Sequence, residues 1–229
     1  NTCGVKSWHP VPLDLLSEQL HAVITDIRPE AVKTGMVPSA AHIRVIADTI
    51  RSHSLCNLVV DPVAVATSGD SLTAADTMQA AVAELFPLAT IVTPNLPEAS
   101  MMLGAEVNET NAVDAAQAII SRFGPQAVLI KGGHGKDDTL TDTLVTRHSG
   151  AVATFSHPRI LTPNTHGTGC SLSSAIASLL AMGAPLPRAV EAAIRFVHEA
   201  IVAGAAFQIG HGHGAIDHLY RIKPFSYGN

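Results

Sequence analysis

His166-Gly167-Thr168-Gly169-Cys170 stands at the head of an apolar helical run, with small residues where backbone N–H groups must approach a ligand closely. The unpaired amides of a first helical turn and the helix dipole both favour negative charge there, so Gly167, Thr168, Gly169 and Cys170 form a candidate anion hole for a transferred phosphoryl group. On the glycines alone, an ordinary glycine-rich loop capped by Thr168 or Ser171 is an equal reading. Cys170 lies in the first turn, where the dipole lowers a thiol pKa, and can serve as base or nucleophile. The plain alternative is a buried cysteine acting as a small hydrophobe, the expectation for Cys3 and Cys56. Asn95-Leu96-Pro97-Glu98 sets an amide and a carboxylate three residues apart, so one helical turn aims both at a hydrated Mg²⁺. A capping box explains the same spacing equally simply, and alone it is the better reading. Asp61, before Pro62, can hold metal or phosphate or close a turn. Lys131-Gly132-Gly133-His134 puts a cation beside flexible backbone suited to nucleotide phosphates, although strand-end lysines are usually just solvated. The twelve histidines include His211 and His213, spaced by two without a helical pair or nearby cysteines, and these read as loop residues rather than metal ligands.

The elements that must position these groups follow a repeated pattern. Apolar spacing predicts helices over 13–27, 43–50, 74–86, 113–122, 168–182 and 185–207. Between the earlier ones lie short apolar runs at 31–34, 58–60, 89–93 and 127–130, read as strands. Asp61, Asn95 and Lys131 follow three of those strands, and ligands in open parallel sheets bind outside the carboxyl ends. Residues 143–145 and 152–155 are two further strands around Ser149-Gly150, read as a hairpin extending the sheet. The pattern gives an α/β fold with a mostly parallel sheet. With no repeat, low-complexity tract or linker, 1–229 reads as a single domain.

Composition agrees. Hydrophobic residues make up 47% and aromatics 4%, so the core is built from Ala, Val, Ile and Leu, the filling between buried parallel strands and helices. A net charge of −5 without a Lys/Arg run argues against a nucleic-acid partner. The apolar stretch at 172–184 is shorter than the roughly 18 residues of a spanning helix, so no membrane partner is expected. Three scattered cysteines indicate neither a disulfide framework nor structural zinc, and point to a reducing, cytoplasmic setting. Asn1 is preceded by neither Met nor a leader pattern, so the true start is expected upstream.

Asp61-Pro62-Val63, Thr93-Pro94-Asn95-Leu96-Pro97-Glu98-Ala99, Ile130-Lys131-Gly132-Gly133-His134 and Asn164-Thr165-His166-Gly167-Thr168-Gly169-Cys170 resemble, in order and spacing, the ribokinase-like superfamily. Within it they are most similar to the hydroxymethylpyrimidine/phosphomethylpyrimidine kinases of thiamine biosynthesis, and the stretches 1–5, 33–36 and 210–214 extend the likeness over nearly the whole chain. The resemblance implies a three-layer αβα sandwich, MgATP across the C-terminal strand edge, and a pyrimidine alcohol and its phosphate as substrates. It implies Cys170 as catalytic base, Gly167 to Cys170 as anion hole, and Asn95 and Glu98 as the metal and phosphate motif, with Asp61 beside them. Lys131 and Thr168 would lie on the nucleotide, Met36, Val63 and Cys170 on the substrate, and Glu98 and Asp61 would reach Mg²⁺ through water. A homodimer is implied too, as is a first strand-helix-strand segment upstream of Asn1 that this chain lacks. The expected activity is phosphorylation of hydroxymethylpyrimidine and then of its monophosphate. The rivals are a vitamin B6 kinase, since pyridoxine also carries a hydroxymethyl group on a flat heteroaromatic ring, and a non-catalytic pyrimidine-binding regulatory relative. A cysteine hydrolase is weaker, because no His and orienting acid are singled out for Cys170.

Overall fold

The computed structural model describes residues 1–63, 75–133 and 138–222. The fourth residue of the Lys131-Gly132-Gly133-His134 stretch and the start of the helix predicted from 74 lie outside the described residues. Helices α1 (Leu13–Asp26) and α2 (Ala40–Ser52) flank strand β1 (Val32–Thr34), and β2 (Leu58–Val60) follows. Next come α3 (Ala75–Glu84), a 3₁₀ turn at Phe86–Leu88, β3 (Ile91–Val92), α4 (Leu96–Leu103), α5 (Ala112–Phe123) and β4 (Ala127–Ile130). The hairpin β5 (Thr139–Thr146) and β6 (Val152–Pro158) precedes α6 (Thr168–Ala181) and α7 (Leu186–Gly204). The sheet runs in the order β1-β2-β3-β4-β5-β6, with β1 to β4 parallel and β5 and β6 antiparallel.

The side-chain period of two explains why the parallel strands are unbroken apolar runs. Ala127 and Leu129 of β4 pack with Val59 and Ile91 against α6 and α7, while Val128 and Ile130 point the other way onto α4 and α5. Leu58 and Val60 meet α2 and α3 on that second face. Both faces of the sheet are therefore covered, which is the expected three-layer αβα architecture. Each fully buried Leu, Ile or Val contributes on the order of 2 kcal/mol, so this double coverage is the main stabilising feature.

Three strands, β3 and the two of the hairpin, differ in length from expectation. Regular pairing in β3 is limited to Ile91–Val92 because Pro87 draws the chain before it into a 3₁₀ turn and Pro94 brings no N–H to continue the ladder. The hairpin strands are longer than their apolar runs. The polar Thr139, Thr141 and Asp142 also join the ladder, paired with Pro158, Ser156 and Phe155.

Candidate active site

The four parallel strands finish on one edge, and each ends in a polar group. The ladder keeps them level: Asp61 N–H donates to Thr34 O at 2.9 Å, Thr93 N–H to Val60 O at 3.0 Å, and Lys131 N–H to Pro94 O at 2.9 Å, with Asn95 and Lys131 bridged in parallel. Asp61 is only 2% exposed, yet both its oxygens are engaged. Lys131 Nζ and Thr93 Oγ1 donate to Oδ1 at 3.0 and 3.2 Å, and Ser173 Oγ, from α6, donates to Oδ2 at 3.3 Å. Burial opposes the charge on Lys131, but Asp61, then Glu98 and Asp142, outweigh it and hold its pKa above the usual lysine value. The solvated-lysine reading is thus corrected: Lys131 is a mostly buried, paired cation.

Over this pair lies the start of α6. Gly167 is its N-cap in the left-handed conformation, φ 85 and ψ 3, and no side chain caps the helix. Ser171 Oγ donates to Gly167 O at 2.7 Å and lies 2.7 Å from His218 Nε2, so neither Thr168 nor Ser171 supplies the cap that a plain loop would have. Among the described residues nothing accepts the amide N–H groups of Gly169 and Cys170. A Cβ on Gly169 would stand 3.5 Å from Lys131 Nζ and 3.6 Å from Asp61 Oδ2, which places the open turn directly against the buried ion pair. Cys170 is exposed in that turn.

At α4 the same type of helix start is closed. Asn95 Oδ1 accepts the Glu98 N–H and Glu98 Oε2 accepts the Asn95 N–H, both at 2.8 Å, so the capping box is formed. Glu98 is buried, and its charge still reaches Lys131. Among the described residues no three His, Cys, Asp or Glu side chains gather into a metal-ligand group. The buried carboxylates beside this edge are Asp61 and Glu98, and a Mg²⁺ arriving with phosphate oxygens and several waters would need only one or two such groups.

The segment leading into the open turn is fixed from the C-terminal side. Asn164 Nδ2 donates to Gly204 O at 2.9 Å and Phe207 O at 2.8 Å, and His166 N–H donates to Gly214 O at 2.9 Å. His211 and His213 are loop residues, as expected. Gly212 lies so close to Thr2 that a Cβ would fall 2.0 Å from Thr2 O, which explains the glycine spacing without a metal.

The structure therefore brings together Asp61, Lys131, Gly169 and, through Lys131, Asn95 and Glu98. Val63 N–H donates to Asp61 O at 2.9 Å, which ties Val63 to that cluster through the backbone. Val63 joins Thr34, Gly35 and Asp61 around a cavity of about 20 Å³. Met36 is 37% exposed and is not among the residues lining it. Cys3 and Cys56 were expected to be buried and are exposed instead, because both sit in surface loops. Thr93 and Ser173 were not singled out as site residues from sequence. Ser173 could have been found as the residue one turn beyond Gly169, hence on the same helix face.

The phosphomethylpyrimidine kinase family profile matches residues 1–217. A hydroxymethylpyrimidine/phosphomethylpyrimidine kinase of Rhizobium meliloti is 45% identical over 222 residues, covering 96% of this chain and 82% of its own length. A protein of Oryza sativa subsp. japonica named "Probable thiamine biosynthetic bifunctional enzyme, chloroplastic" is 40% identical over 233 residues, and the chain spans 42% of that relative's length. An ADP complex of Bacillus subtilis pyridoxal kinase superposes with a TM-score of 0.84 at 33% identity, covering 95% of this chain and 83% of that one.

Proposed function

The chain belongs to the phosphomethylpyrimidine kinase family, and from that membership we propose that it phosphorylates hydroxymethylpyrimidine, then the monophosphate, with ATP and Mg²⁺. The observation that carries the reading is the uncapped Gly167–Cys170 turn resting on the buried Asp61–Lys131 pair at the carboxyl edge of the sheet. Phosphoryl transfer needs positioning, charge neutralisation and an acceptor for the hydroxyl proton, and this edge offers a group for each.

In the first phosphorylation the substrate hydroxyl oxygen forms the new bond to the terminal phosphorus while the bond to the ADP oxygen breaks, and the hydroxyl proton passes to Cys170; in the second, an oxygen of the substrate monophosphate is the attacking atom. The amides of Gly169 and Cys170 donate to the phosphoryl oxygens as charge gathers on them. Lys131 lies beside the nucleotide phosphates, Thr168 at the same turn, and Asn95 with Glu98 shapes the adjoining loop. Mg²⁺, when bound, neutralises phosphate charge near Asp61 and Glu98. Met36 and Val63 are assigned to the pyrimidine face. A homodimer and a cytoplasmic setting belong to the same proposal. Among the described residues no helix is long and apolar enough to cross a membrane.

A second reading, a vitamin B6 kinase, is supported by the likeness to pyridoxal kinase. Turnover of the full-length protein on 4-amino-5-hydroxymethyl-2-methylpyrimidine, on its monophosphate and on pyridoxine separates the two. The proposal expects the pyrimidine alcohol and its monophosphate to be phosphorylated with the higher kcat/KM. Preference for pyridoxine would replace it, and nucleotide-independent pyrimidine binding without turnover would support a regulatory relative.

A further inference from the structure

One buried carboxylate near the site has no part in the reaction scheme above. Asp142 of β5 is 6% exposed. Its Oδ1 accepts the Gly132 N–H at 2.8 Å, and its Oδ2 lies 3.7 Å from His157 Nε2 on β6. Gly132 directly follows Lys131, and a Cβ there would fall 2.2 Å from Thr141 O, so the backbone leaving β4 lies flat on β5. The Gly132 backbone is thus held twice, by contact with Thr141 and by a charge-assisted hydrogen bond to Asp142.

A neutral Asn or Thr would satisfy one buried N–H at a lower desolvation cost than a carboxylate. The charge of Asp142 has two other correspondents: His157, and the Lys131 ammonium, which feels its field. We propose that Asp142, oriented by His157, is a positioning residue that holds the Lys131–Gly132 backbone in place for the phosphates of a nucleotide. This rests on the kinase reading.

The groups facing His157 are Asp142 on β5 and His198 on α7, whose ring centroid is 5.3 Å away. Glu199 acts on His198, and Lys131 acts on Asp142 from the end of β4. The nearby Asp142 carboxylate raises the His157 pKa despite burial, whereas burial and then His157 itself lower that of His198. A raised histidine pKa means that the attraction to Asp142 is fully present below the unfolded-histidine pKa and is lost as pH rises through the folded value. Nucleotide binding should therefore weaken over that window.

The test measures Mg²⁺–AMP-PCP affinity by calorimetry between about pH 6 and about pH 8.5, with kcat and both KM values, in the full-length protein. The variants are Asp142→Ala, Asp142→Asn and His157→Gln. Asp142→Ala should weaken nucleotide binding about tenfold and raise the KM for ATP more than it lowers kcat. Asp142→Asn keeps an acceptor for Gly132, so it should retain most of the affinity while its pH dependence flattens, and His157→Gln should flatten it likewise. Parallel losses in kcat and both KM values together with a lower Tm, or pH dependence unchanged in Asp142→Asn and His157→Gln, would overturn the positioning role alone. A wild-type protein that binds no nucleotide would overturn the kinase reading and this proposal with it.

Discussion

Two helices start at the same edge of the sheet and are finished in opposite ways. At α4, Asn95 has φ −81 and ψ 172, the extended geometry from which a side chain can reach back, and the Asn95–Glu98 pair satisfies two amides reciprocally. At α6, Gly167 has φ 85 and ψ 3, and no side-chain oxygen is brought over the first turn. Both helices carry the same partial positive charge at their N-termini. Only α6 leaves it available. A glycine-rich helix start becomes an anion site when its backbone withholds the cap, and here the withheld cap lies against a buried cation.

The largest expected effect breaks the comparison from below. Lys131→Met leaves Asp61, 2% exposed, without its counter-ion, and removing one partner of a buried pair costs about 3 kcal/mol or more. Thermal or denaturant unfolding should show this as a large drop in stability. The double variant Lys131→Met with Asp61→Asn should recover much of it, since no buried charge is then left unpaired. Equal losses in the single and double variants would mean that the pair is not what supports the open turn. Because the Lys131 pKa is raised, its contribution is fully present below the unfolded lysine pKa and fades only as pH climbs through the higher folded value. At neutral pH the pair should be insensitive to pH.

Next in size is a change at the open turn itself. Cys170→Ala removes the proposed proton acceptor from an exposed position, so turnover should fall by about a hundredfold or more while Tm hardly moves. Steady-state kinetics beside a melting curve checks both halves. A variant that keeps near-wild-type turnover would strip Cys170 of its role and leave the open turn as a binding feature only.

The contrast between α4 and α6 marks where sequence reasoning stopped. Helix order and the polar strand ends were legible because strands buried on both faces must be apolar runs, so Asp61, Asn95 and Lys131 stood out where those runs stop. The capping box at Asn95 was legible too, since a box is a local pattern. The partner of each charge was not. Asp61 meets Lys131 across 70 residues and Ser173 across 112, separations that only the parallel register and the path of α6 close. Asp142 was hidden by its setting. It sits among threonines just before the run at 143–145 that reads as a strand, whereas the close approach of Gly132 to Thr141 buries it. Gly167 was visible as a glycine, but its left-handed backbone, which makes α6 differ from α4, was not.

The smallest effect sharpens that last distinction. Asn95→Ala removes the side-chain half of the α4 cap and should cost about 1 kcal/mol, whereas Asn95→Asp keeps an acceptor for the Glu98 N–H and should cost less. Gly167→Ala has open space around its Cβ but a φ that L-residues rarely adopt, so it should cost a similar amount, on the order of 1 kcal/mol, through strain alone. Equal stability losses at the two helix starts then allow a comparison at matched folding energy. If α6 is the anion site and α4 is closed, Gly167→Ala should also weaken nucleotide affinity or turnover, while Asn95→Ala should have the smaller effect on both. The reverse ranking would move the phosphoryl site from the open turn to the capped one.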